Sequence, residues 1–206
     1  MVHETFAVVI GDTVASREIA DRDAYQARLT ATLDGVNELS RPASAYTISA
    51  GDGIEAVYRD PRKLFIDLLS ILGAVYPQRI RFAVALGELA TALDPHNPLL
   101  ADGPAFHAAR RGMERLKRED EMLRLEPSDL LFLENDALRL LAHHLRSFKQ
   151  TRWHVLRELT RGRPKVEIGP VLGISTVAAY KSIRTGALEV VLSLAEDLGR
   201  SLADRL

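Results

Sequence analysis

The chain has 206 residues, 47% of them hydrophobic and 27% charged, with a formal net charge of −1 and no cysteine. These values describe an ordinary globular protein with room for one sizeable core or two smaller domains, and they exclude disulfides, thiolate metal sites and cysteine nucleophiles. The start, MVHETFAVVIGD, lacks the basic region of a signal peptide, and no segment approaches the ~20 apolar residues of a membrane span, so a cytoplasmic protein with no membrane partner is expected.

Residues 5–11, TFAVVIG, form a continuous apolar, β-branched run, as expected of a central strand. Helical spacing follows over 19–39 through Ile19, Tyr25, Leu29, Leu33 and Val36, and Arg41-Pro42 ends it. Tyr46–Ala50 and Ile54–Tyr58 read as strands joined through Ala50-Gly51-Asp52-Gly53, a hairpin signal. Asp60-Pro61 opens a helix carrying Leu64, Leu68, Leu69 and Leu72; Pro77 closes it, and RIRFAVALGEL (79–89) is the next strand. The order β-α-β-β-α-β predicts an α+β chain built on a ferredoxin-like or palm-like sheet. A Pro/Asn-rich loop (91–103) then precedes a helix over 104–118, with Asp102-Gly103 as its expected cap, a short strand over 121–126 and a helix over 129–148.

From residue 147 the pattern is helical only. A helix is expected over 147–160, a break at RGRP, a short helix over 166–175, and one further helix from Thr176 to the C-terminus. A short helix, a Gly-containing turn and a second helix make a helix-turn-helix, with Gly173 in the turn and Ile174 and Val177 packing the two helices together. Charge divides the chain in the same place: residues 1–145 hold sixteen basic and twenty-two acidic side chains, and residues 146–206 eleven and six. A basic C-terminal module suits a polyanion, and duplex DNA is the expected partner. The candidate contacts are Arg163, Lys165, Ser175, Thr176, Tyr180, Lys181 and Arg184, although a solvated basic face would look the same in sequence. The expected partition is 1–126 for the sheet domain, 127–148 for a connecting helix and 149–206 for the helix-turn-helix.

Chemistry concentrates at two Gly-Asp steps. Asp12 ends the first strand, and Asp52 sits in the hairpin between the second and third strands; a palm-like sheet brings these positions together. Two close carboxylates repel, a divalent cation relieves that, and oxygen-only ligands favour Mg²⁺ or Mn²⁺. Plain turn chemistry explains the same residues. Ser16-Arg17 follows the first strand, where main-chain N–H groups can hold a phosphate. His143 and His144 are adjacent and point apart on a helix, and neither Gly-x-Ser-x-Gly nor a phosphate loop of the G-x-x-x-x-G-K type occurs.

The blocks GDTVASR, ISAGDGIEAVY, RFAVALGEL and DGPAFHAARR, in that order, resemble the core of class III nucleotidyl cyclases: two metal-binding Asp, a Gly-Asp hairpin, an R-x-x-x-x-x-GE-type strand and an N-x-x-x-R helix. Joined to a C-terminal helix-turn-helix, they look most like the SatD family of bacterial proteins. The resemblance implies that Asp12 and Asp52 are metal aspartates and that Arg111 is the arginine facing the transferring phosphate. His107 stands where the cyclases carry Asn, and Thr47-Ile48-Ser49 where they carry a purine-selecting lysine; both departures point to binding without turnover. The expected function is a homodimeric DNA-binding transcriptional regulator with a cyclase-like domain sensing a nucleotide or small-molecule effector. The alternatives are a metal-dependent nucleotidyl cyclase or transferase, and a protein-interaction module using a helix-turn-helix fold.

Overall fold

The computed structural model describes residues 4–49 and 52–206. Strand β1 (Thr5–Thr13) is the centre of one five-stranded sheet, ordered β2-β3-β1-β4-β5. It is apolar on both faces because helices cover both. Ala7 and Val9 face one buried cluster, and Phe6, Val8 and Ile10 face another. Strand β2 (Ser44–Ile48) pairs antiparallel with β3 (Gly53–Tyr58), and β3 and β4 (Ile80–Glu88) each pair antiparallel with β1, which is the sheet expected of β-α-β-β-α-β. β5 (Leu123–Glu126) adds a parallel edge beside β4. Ala50 and Gly51, half of the expected hairpin turn, lie outside the described residues.

Helix α1 (Arg22–Ser40) starts later than the apolar spacing suggests, because the Asp21 carboxylate caps it by accepting from the Ala24 N–H at 3.0 Å. A short 3-10 turn, Ser16–Glu18, fills the gap. α2 (Leu64–Val75) lies on the same face of the sheet, while α3 (Pro104–Glu119) covers the opposite face over β1, β4 and β5. The mixed α+β class is as expected.

The remaining helices are α4 (Phe132–Arg146), α5 (Gln150–Thr160), α6 (Lys165–Leu172), α7 (Thr176–Thr185) and α8 (Leu188–Ala203). The single helix expected from Thr176 onward is broken at Gly186-Ala187, where Ala187 turns to φ 48°. A Cβ on Gly186 would lie 2.7 Å from the Arg152 side chain, so the break lets α5 pass beneath it. α5 and α8 pack on α2, and the buried cluster beneath α1 and α2 runs without interruption into all five C-terminal helices. Gly199 of α8 permits a close backbone approach: a Cβ there would sit 2.3 Å from the Arg62 carbonyl oxygen.

Candidate functional site

The register of β1 and β3 sets Asp12 opposite Gly53, so the backbones at Asp12 and Asp52 are neighbours, as the sequence leads one to expect. Their carboxylates have different surroundings. A Cβ on Gly11 would meet Phe82 and Ile54, and Thr13 bonds Tyr25 at 2.8 Å, so both residues face α1. Asp12, between them in an alternating strand, faces α3, where Lys117 Nζ donates to its Oδ1 at 2.8 Å. Asp52 lines a narrow cleft on the α1 side with Ser16, Arg22, Tyr25 and Gln26. Burial raises the Tyr25 hydroxyl pKa, opposed by the Thr13 hydrogen bond, and the Asp52 charge adds to the rise. Asp12 therefore carries an ammonium contact on the α3 side, while Asp52 lines a cleft on the α1 side. Among the described residues no three His, Asp or Glu side chains gather as a metal ligand set.

At the N-terminus of α3, Gly103 of the expected Asp102-Gly103 pair occupies the cap position, with no side-chain cap. Asp102 instead accepts from the Gly103 backbone, sits 3.1 Å from His107 Nε2 and receives Arg110 at 3.3 Å, and these contacts lower its pKa in that order of origin. His107, at the position where the resemblance to cyclases implies Asn, is thus held by a carboxylate of its own loop. Arg111 is exposed on α3. Its neighbour Arg110 reaches Asp102, lies 5.7 Å over the Phe106 ring and acts on Glu55 of β3, whose pKa burial raises and Arg110 pulls down. Ser16 and Arg17 lie in the 3-10 turn after β1, Ser16 on the Asp52 cleft and Arg17 in solvent.

In the C-terminal helices, Gly173 ends α6 at φ 68°, and the Ile174 N–H returns to the Gly169 carbonyl at 3.0 Å. Gly169 has no room for a side chain, since a Cβ would lie 3.0 Å from the Thr176 backbone, and this lets α6 and α7 meet. Ser175 caps α7 by accepting from Ala178 N–H at 3.1 Å. Ile174 is half-buried against the core as expected, but Val177 is 78% exposed; Ala179 and Ile183 are the α7 residues that enter the core. The inward face of α7 is therefore shifted from the expected one. Thr176, Tyr180, Lys181 and Arg184 are all exposed. Arg163 and Lys165 are engaged within the chain, Arg163 with the buried Glu158 at 2.5 Å and Lys165 with Glu189.

Residues 6–123 match the model of the SatD family, a span that holds strands β1 to β4 with α1, α2 and α3. The chain belongs to the SatD family. The match ends at the first residue of β5, so α4 to α8, including the α6–α7 pair, lie beyond it. No curated protein matches the chain. The Asp12–Lys117 pair carries no short-range signature, because its partners are 105 residues apart in sequence.

A buried polar centre also carries no clear signal in the sequence. Asp67 of α2, placed on the sheet side, receives the Ser40 hydroxyl at 2.7 Å and the Tyr58 hydroxyl at 2.7 Å. Burial raises its pKa from the ordinary 3.8 to about 6, against the lowering effect of both hydroxyls and of Lys63. Its only sequence signal was an acid inside an otherwise apolar helix, FIDLLSIL. Among the described residues no helix is long and apolar enough to cross a membrane.

Proposed function

We propose that this SatD-family chain is a DNA-binding transcriptional regulator that reads duplex DNA with α7, and that its cyclase-like sheet serves sensing rather than turnover. The observation that carries this reading is the second helix of a helix-turn-helix, capped by Ser175, that presents Thr176, Tyr180, Lys181 and Arg184 to solvent. Such a helix enters the major groove with its N-terminal residues at base edges and its cations on phosphates. Val177 on the same exposed surface suits a thymine methyl group. Lys181 and Arg184 carry the proposed phosphate contacts; Arg163 and Lys165 contribute less, because their charges are already paired inside the chain.

For the sheet, the geometry supports binding over nucleotidyl transfer. Lys117 supplies at Asp12 the positive charge that a cation would otherwise bring, and Asp52 faces another cleft. A nucleotide or small-molecule effector, rather than a substrate, is the proposed ligand class. The proposed assembly is a homodimer: Leu130, Phe132, Leu133 and Leu140 stand exposed at and along α4, an apolar row that a second copy would cover.

The test is fluorescence anisotropy with a labelled nonspecific duplex at low salt. Affinity should fall steeply with salt, and Lys181→Ala/Arg184→Ala should weaken binding and reduce the log–log salt slope by about 2. A second reading is favoured by the exposed Val166, Val171 and Val177: the same helices contact another protein. DNA binding that ignores both salt and the double substitution would reject the first reading in favour of the second.

A further inference from the structure

A cavity of about 310 Å³ lies where the sheet meets the C-terminal helices. Its walls come from the end of α2 (Leu72, Tyr76), the start of β5 (Met122, Leu123), α4 (Leu145) and the segment leading into α5 (Phe148, Trp153). Leu72, Leu123, Leu145, Phe148 and Trp153 are buried side chains, so the walls are set by the core. The aromatic rings are ordered among themselves: Tyr76 and Trp153 lie 6.1 Å apart at 31°, and Phe148 meets Trp153 edge-on at 5.6 Å. The volume is at the lower end of what small-molecule sites enclose, and walls of this kind with a few polar groups at one side are their usual composition.

The polar side is cationic. Arg79, Arg146 and Gln78 line it, and no Asp or Glu does. Among the described residues the exposed Arg79 guanidinium reaches the Met122 sulfur, at 3.1 Å, which leaves most of its donors open to solvent or a ligand. Arg146 donates to the Asp120 carbonyl and stands 3.8 Å from the Asp120 carboxylate, outside hydrogen-bonding range. A guanidinium fork with free N–H groups matches a carboxylate in two-point geometry.

We infer that this cavity binds a small aromatic carboxylate, with its ring among Tyr76, Phe148 and Trp153 and its anion on Arg79, assisted by Arg146. Shape selects a compact aromatic body, and the charge balance selects a single anion over a neutral or cationic ligand. The site is separate from the Asp12 and Asp52 clefts. An effector role for the ligand rests on the reading of the chain as a regulator; binding itself does not, and it is measured without DNA.

Trp153 is the sole tryptophan of the chain and forms part of the wall, so its emission reports occupancy directly. The experiment titrates the full chain with para-tert-butylbenzoate and with the isosteric neutral para-tert-butylbenzamide. Saturable change in Trp153 emission is expected with the benzoate, with affinity at least tenfold weaker for the benzamide and for Arg79→Ala. Ala142→Phe, which fills the cavity from α4, should abolish the benzoate response while keeping the wild-type circular dichroism spectrum, and Arg146→Ala gives an independent charge variant should Ala142→Phe fail to fold. Equal binding of benzoate and benzamide, no saturable response at millimolar benzoate, or an unchanged affinity in both arginine variants would overturn the proposal. So would Trp153 emission that follows protein concentration in step with a doubling of mass and ignores the benzoate, which would assign the cavity to a second copy of the chain.

Discussion

Replacing Asp67 by Asn isolates one buried charge and fixes the sign of its effect. In the folded chain the carboxyl is 5% exposed and keeps its proton up to about pH 6, whereas the unfolded chain releases it near 3.8. Between those values the native state binds more protons than the unfolded state, so stability falls as pH rises through the window. The window spans roughly two pH units at 1.36 kcal/mol each, which places the loss at about 3 kcal/mol, complete above pH 6 and absent below 3.8. Asn has the shape of the protonated acid and cannot ionise. It keeps an oxygen for the Tyr58 hydroxyl, and its NH₂ can donate to Ser40 once that hydroxyl turns.

Urea unfolding of both proteins from roughly pH 4 to pH 7.5, followed by Trp153 emission, compares them on equal terms, since every other titrating group is common to the pair. The Asn variant should be the more stable at pH 7 and should lose most of that advantage by pH 4. Stability curves that run parallel across the window, or an Asn variant that is weaker at pH 7 than at pH 4 relative to wild type, would refute the argument. The first result would mean that the Ser40 and Tyr58 hydroxyls offset the whole cost of burial.

Two further outcomes follow from the site. Lys117→Ala breaks a partly exposed ion pair and should cost no more than about 1 kcal/mol; the wild-type thermal melt should not respond to millimolar Mn²⁺, and a wild-type shift that vanishes in Asp12→Ala and in Asp52→Ala would restore the shared cation at the two aspartates. Leu133→Glu/Leu140→Glu should convert the proposed dimer to monomer by light scattering at micromolar concentration, and a wild-type monomer would remove the α4 row from the interface.

Much of the sheet was legible because its signals are local. TFAVVIG is apolar at every position, as a strand covered on both faces must be, and Asp60-Pro61 and Gly173 mark a helix start and a helix end by their own backbone chemistry. Side-chain placement was less legible. Spacing placed Asp12 and Asp52 at adjacent backbones, but the face of each carboxylate depends on strand parity and on Lys117, a helix away. Val177 was read as a packing residue because an apolar residue near a helix start ordinarily packs; here Ala179 and Ile183 fill that role, and the helical phase exposes Val177. The break at Gly186 was missed because Arg152, which passes beneath it, is remote in sequence.

The most apolar helix of the chain bears on whether the C-terminal helices are a separable unit. A helix lying on a sheet and facing water on its other side needs one apolar stripe, with polar residues elsewhere. In α2, Leu64 and Phe65, Leu68 and Leu69, Ile71 and Leu72, and Ala74 and Val75 are all buried, so the apolar surface goes all the way round. The sheet and α1 cover part of it; α5 and α8 cover the outer side, with Gly73 so close to α5 that a Cβ would meet the Trp153 carbonyl at 3.2 Å. Removing residues 149–206 would strip both covering helices and leave the outer side of α2 in water. At roughly 1.5–3 kcal/mol for each large apolar side chain re-exposed, three or four of them would consume most of the 5–15 kcal/mol that holds a typical domain. A chain cut after residue 148 should therefore lose its cooperative thermal transition and bind a hydrophobic dye such as anilinonaphthalene sulfonate, even though it retains every strand and the whole of residues 6–123. A cooperative melt near that of the full chain, without dye binding, would show that the sheet and its helices stand alone and that the shared core is a docking contact between two independent units.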